Sequence, residues 1–261
     1  MPISLPFCPV YAINKGEETK NKHMDTLTSL LVVGFAALIH ASFQLSVSVL
    51  TMLSSHTIGA KRSHAKLMRL TLSFIAGTKI MTLLLVSFLV LVLLDIFGTQ
   101  IPQLVWACAC GLLVGVGVAV WLFYYRREKG TSLWVPRSFA RHLNERSKVT
   151  KTAAESFSLG LTGVISELLF IIGPVVITAL VLIGLPSIWQ LVGLVIYTVI
   201  STLSSLIVWG LIGSGHSLSR IQKWRENNKQ FLRFAGGGGL LILGFFVYVN
   251  EVVFHIVGGG M

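Results

Sequence analysis

Residues 155–184 read ESFSLGLTGVISELLFIIGPVVITALVLIG, thirty residues in which the only charges are Glu155 at the start and Glu167 within. About 20 apolar residues carry a helix across some 30 Å of hydrocarbon, so this stretch is long enough to span a bilayer with tilt. It is also apolar on every face, which an amphipathic helix on a water-facing domain is not. Reading outward, similar stretches occupy 26–54, 67–96 and 101–125 before it, and 188–213 and 232–255 after it. The expected fold class is therefore all-α: a polytopic membrane protein with six transmembrane helices.

The charges between the stretches set an expected orientation. Of 21 Lys and Arg, 17 fall in, or within one turn of, the connections after the first, third and fifth stretches. The connections after the second, fourth and sixth have none. Basic loops stay on the cytoplasmic side, so the pattern predicts a multi-pass protein of the cell inner (plasma) membrane with both termini outside. Composition agrees: 54% hydrophobic and 12% charged residues cannot cover a water-facing surface. The pI near 9.9 and formal charge of +11 do not imply nucleic acid, because the charge sits in short juxtamembrane loops facing anionic lipid. The lipid bilayer is the expected partner.

Residues 1–25 and 256–261 read as exterior tails. In the first, Lys15, Lys20 and Lys22 are offset by Glu17, Glu18 and Asp25, and the ordered regions of a signal peptide are missing. Residues 126–154 form a basic cytoplasmic linker with eight Lys or Arg. Phe139 and Leu143 stand at i and i+4 within it, which suits either a short helix on the membrane surface or a solvated linker. This linker and the loop SRIQKWRENNKQFLR (219–233) are candidate docking points for a protein partner. Cys8, Cys108 and Cys110 form no disulfide framework, and Cys108 and Cys110 point about 200° apart on one helix.

An internal repeat divides the chain. Residues 34–59 align with 160–185 at an offset of 126, and CGLLVGVGVAV (110–120) aligns with GGLLILGFFVY (238–248) at 128. An odd number of helices per repeat inverts one half relative to the other. Two inverted three-helix repeats, 26–125 and 155–255, are the expected plan.

Charge at mid-membrane costs a few kcal/mol, so each such group needs a reason. Lys79 and Glu167 are the two expected there, each 12 residues from the start of its stretch, or about 18 Å at 1.5 Å per residue. Gln44 and, one turn away, His40 approach the same plane from the first stretch. His40, Gln44, Lys79 and Glu167 are thus the candidate solute or ion path. Two accounts of a Lys79–Glu167 pair stay open: a structural lock cancelling two desolvation costs, or a water-accessible site in which Glu167 holds a proton or cation. Gly173 and Pro174 are a candidate hinge, since proline removes a backbone donor and clashes with the preceding turn. Hydroxyls at 197–205 are expected to bond back to their own helix, and the glycines at 236–239 to permit close helix packing. No metal site, cofactor site or soluble-enzyme triad is read from the sequence.

Three segments carry a family resemblance: GAKRSHAKLMRL (59–70), GLTGVISELLFIIGPVV (160–176) and RFAGGGGLLILGFFVYV (233–249). Across residues 26–250 the chain resembles the LysE-type exporter superfamily, and within it the six-helix CcdA and DsbD reductant carriers. That resemblance implies outward termini and two inverted repeats. The carriers place one redox cysteine in the first helix and one in the fourth, whereas FQLSVSV (43–49) and SELLFIIGPVV (166–176) contain none. Thiol exchange by that route is therefore excluded. The expectation is a small exporter or exchanger, not an enzyme, that moves an unknown small solute by alternating access, with or without proton coupling. A zwitterionic or weakly charged solute suits a cancelled Lys79–Glu167 pair. The alternative is a non-transporting membrane subunit or assembly factor in which the pair is structural.

Overall fold

The computed structural model describes residues 24–46, 64–123, 152–214, 220, 223–224 and 227–254. Among them all regular structure is helical. In chain order, α1 is Thr26–Ser46, α2 His64–Phe97, α3 Gln103–Phe123, α4 Ala153–Ile183, α5 Ser187–Ser201, α6 Leu203–Gly213 and α7 Lys229–Val247, followed by a π-helical turn at Tyr248–Val253. Five helices are long and apolar enough to cross a membrane, and six spans result if the bent pair α5 and α6 is one span. The expected all-α class is present, and the helices are compatible with a multi-pass membrane protein. Cys8, His56, His216, the segment around Phe139 and Leu143, and nearly all of the tails and the 126–154 linker lie outside the described residues.

Local chemistry sets the helix ends. Thr152 caps α4: its Oγ1 accepts from Glu155 N at 3.2 Å, and Glu155 Oε2 accepts from Thr152 N at 3.2 Å. This capping box starts α4 two residues ahead of the apolar stretch. Between α2 and α3, Gly98 takes φ +67°, a left-handed value that favours glycine. Pro186 immediately precedes α5, where a missing N–H costs nothing, and its carbonyl accepts from Trp189 N and Gln190 N.

Packing centres on α4, which touches α1, α2, α3 and α5. The α2–α4 contact is the most intimate. A Cβ on Gly77 would run into the Phe157 carbonyl, and one on Gly160 into the Phe74 carbonyl. Backbones this close suit a membrane interior, where small residues replace hydrophobic driving force. Hydroxyls fasten the same crossing: Ser73 Oγ donates to Ala153 O at 2.6 Å and Ser156 Oγ to Leu70 O at 2.7 Å. Around the glycines at 236–239, Gly236 abuts Phe43, Gly239 abuts Ile39 and Gly237 abuts Trp121. Close packing of this segment is as the sequence suggested. Large apolar side chains such as Leu84, Phe88 and Leu91 of α2 and Phe231, Ile242 and Phe245 of α7 point outward, the surface a lipid solvent accepts.

The helix does not break at Gly173–Pro174. α4 is helical from Ala153 to Ile183 with Pro174 inside it. The sharp bend lies instead in the fifth stretch, where α5 and α6 meet at 44° around Thr202. Neighbours surround the missing hydrogen bond: Gly173 faces Leu113 of α3, and Gly173 and Pro174 are both buried.

Candidate functional site

His40 and Gln44 lie one turn apart on the enclosed face of α1, and both side chains are fully buried. His40 Nε2 stands 4.0 Å from Glu167 Oε2 of α4, which is also fully buried. On its other side, His40 Nδ1 shares a 3.0 Å hydrogen bond with the Tyr197 hydroxyl of α5. With Tyr197 O–H donating to Nδ1, the proton of a neutral imidazole sits on Nε2 and faces Glu167. A carboxylate, an imidazole and a phenol from three helices thus lie in one row, the phenol hydrogen-bonded to the imidazole and the carboxylate 4.0 Å from it.

Gln44 makes the second half of the cluster. Its Oε1 accepts from Ser205 Oγ at 3.1 Å and, more weakly, from Ser204 Oγ at 3.4 Å, both in the first turn of α6. Gln44 Nε2 has no hydrogen-bond partner among the described residues, and the same holds for the buried Thr82 Oγ1 of α2. Phe43 and Phe170 stack beside the cluster, with ring centroids 5.5 Å apart, and form an apolar wall.

Three of the four candidate residues, His40, Gln44 and Glu167, are therefore brought into one buried cluster. Lys79 is not. It is half-buried on α2 and makes no ion pair with Glu167, whose near charge partner is His40. The first reason is register: Ser73 bonds to Ala153, Ser156 to Leu70 and Thr78 to Gly160, so Lys79 lies level with the turn just after Gly160 and Glu167 stands further along the bundle. The second is azimuth, since Lys79 lies about 100° around α2 from Thr78, which faces Gly160 of α4.

The hydroxyl-rich segment divides. Thr198 Oγ1 bonds back to Leu194 O, Ser201 Oγ to Thr198 O, and Thr202 Oγ1 to Thr198 O, as expected of polar groups on an apolar helix. Tyr197, Ser204 and Ser205 instead reach α1. For Ser204 and Ser205 sequence periodicity carried no signal, because the bend at Thr202 re-aims α6; Tyr197 lies before the bend, on the face of α5 that packs on α1. A further carboxylate escaped notice: Glu251, in the π-helical turn, is buried beside a cavity of about 20 Å³ lined by Met24, Ser29, Thr99 and Trp106. It lies near the end of the sixth stretch, in a π-turn, a feature common at functional sites.

Among the described residues no three His, Cys, Asp or Glu side chains are grouped to hold a metal ion. Comparison with known protein families, curated proteins and solved structures finds no match.

Proposed function

We propose that this protein is a small transporter, an exporter or exchanger, that moves a small solute across the cell inner membrane by alternating access. One observation carries the reading: a carboxylate–imidazole–phenol chain and an amide–serine cluster meet deep inside an apolar bundle, at the place where a span is broken. Ionisable groups at membrane depth mark pathways and proton relays, and broken helices expose backbone groups to a bound solute. In this reading six spans form two inverted three-helix repeats with both termini outside. Support comes from the pattern of helix contacts. Exchanging the first span with the fourth, the second with the fifth and the third with the sixth turns the α2–α4 contact into α5–α1, and the α1–α7 contact into α4–α3, and all four are present.

Glu167 takes the coupling proton and His40 passes it. The groups facing the relay are Tyr197 from α5 and Gln44 from α1. With Lys79 apart from Glu167, the site has no cancelled Lys–Glu pair to favour a zwitterionic solute. Resemblance to LysE-type exporters in the three segments quoted above agrees with a transport role.

A second reading, a non-transporting membrane subunit, is favoured by the closure of the cluster: His40, Gln44, Glu167 and Tyr197 are each 0% exposed, as a network used only for packing would be. Docking of a protein partner on the basic loops belongs to that reading. Cysteine labelling separates the two. In a background lacking the native cysteines, Ser201→Cys and Ser205→Cys are exposed to a membrane-impermeant thiol reagent from each side. Transport predicts labelling of both positions from both sides, because each side is open in turn; protection from both sides in folded protein sinks the transport reading.

A further inference from the structure

The fifth span begins a second time inside the protein. α5 ends at Ser201, the Thr202 hydroxyl donates back to Thr198 O and Val199 O at 3.0 and 3.2 Å, and α6 departs at 44° for 11 residues. A helix that starts anew presents first-turn N–H groups without intrahelical acceptors, and the positive end of its dipole. In water, solvent answers those groups. Here the first turn is enclosed, with Ser204 at 9% and Ser205 at 1% exposure.

The neighbouring side chains add donors. The Ser204 and Ser205 hydroxyls both donate to Gln44 Oε1, which holds the carboxamide against the first turn of α6. Gln44 Nε2, on the same fully buried group, has no hydrogen-bond partner among the described residues. A buried donor left unmade is costly and calls for an acceptor. Positive charge stands at the same level. Trp209 Nε1 donates to Met68 O and Gly213 abuts Met68, which sets Met68 opposite residues 209–213; in the six-span reading the second and fifth spans run in opposite directions. Eleven residues along α2 from Met68 is Lys79, and eleven back from the middle of 209–213 is Ile200, about one turn from the start of α6.

We propose that the N-terminus of α6, with Gln44, Ser204 and Ser205, seats an anionic group of the transported solute, and that this group is a carboxylate. The inference rests on the transport reading and names its substrate class. A carboxylate oxygen accepts from Gln44 Nε2, and the other accepts from the first-turn N–H groups of α6, the arrangement that helix N-termini offer to anions. A phosphate dianion is disfavoured, because the one formal positive charge at this level is Lys79 and Glu167 lies a turn away beside His40.

The test uses acetate on the intact protein in detergent micelles, with sodium chloride and methylammonium chloride as controls, read as a rise in Tm with concentration. Wild type is expected to be stabilised by acetate beyond the chloride control. Ser205→Ala is expected to weaken apparent affinity about tenfold. Gln44→Glu, which puts a carboxylate where the solute's would sit, is expected to abolish the effect; should that variant not fold, Ser204→Ala and Ser205→Ala carry the test. Absence of acetate stabilisation in wild type, an undiminished effect in the variants, or stabilisation by methylammonium instead overturns the proposal. Site-dependent acetate binding with Ser201→Cys sealed from both sides would keep the anion site and sink transport. Labelling of Ser201→Cys from both sides without any acetate effect would do the reverse.

Discussion

His40 Nε2 stands 4.0 Å from Glu167 Oε2, and neither side chain is reached by solvent. The pair links α1 to α4, the first span of one proposed repeat to the first span of the other. It gives Glu167 a partner that can itself carry or release a proton.

Glu167 and His40 should therefore be coupled energetically, and Glu167 and Lys79 should not. In a double-mutant cycle on unfolding stability, His40→Leu with Glu167→Gln is expected to show an interaction of about 1–3 kcal/mol. Lys79→Met with Glu167→Gln is expected to be additive within about 0.5 kcal/mol. A large Lys79–Glu167 coupling with none to His40 would contradict the observed pairing.

The α2–α4 crossing yields a prediction that side-chain chemistry alone would miss. Gly160→Ala places a methyl group on the Phe74 carbonyl, which is backbone and cannot swing away, so a loss of about 1–3 kcal/mol is expected. Gly111→Ala and Gly115→Ala on α3 meet nothing within 4 Å and are expected to be neutral within about 0.5 kcal/mol. Denaturant titration of the three variants in parallel makes the comparison.

These glycines show where sequence reading reached and where it stopped. The helical class and the spans were legible because length and apolarity are local properties, and the start of α4 was off by two residues through an unread capping box at Thr152. Three of the four candidate polar residues were legible because buried polar groups are conspicuous against leucine and valine. Lys79 misled because counting from the ends of two stretches fixes neither their register nor the azimuth of a side chain. Tyr197, Ser204 and Ser205 were passed over because hydroxyls in an apolar helix usually bond locally, as Thr198 and Thr202 do. At Pro174 the helix continues where a break was one of the two outcomes expected, because a buried proline can be carried by its neighbours.

The role of Pro174 is itself testable. Pro174→Ala restores the donor that the Phe170 carbonyl lacks, in a helix that is continuous there already. The expected result is stability unchanged or higher by up to about 1 kcal/mol, with the same helical content by circular dichroism. Were the residue a working hinge, its cost would fall on solute turnover in proteoliposomes and leave the melt untouched, so both measurements belong together.

The bend at Thr202 is the remaining question of cause. Its hydroxyl competes for the Thr198 and Val199 carbonyls, and threonine back-bonding of this kind bends helices. Thr202→Val keeps the shape and removes the competitor, so α5 and α6 should approach one straight helix. With 15 and 11 residues at 1.5 Å each, straightening a 44° bend lengthens the end-to-end distance by up to about 3 Å. Spin labels at Ser187 and Ser214 report that distance by pulsed electron resonance. The expected lengthening would also draw Ser205 from Gln44 and weaken acetate stabilisation in the same variant. An unchanged distance would place the origin of the bend in the packing of α6 on α1 and α2.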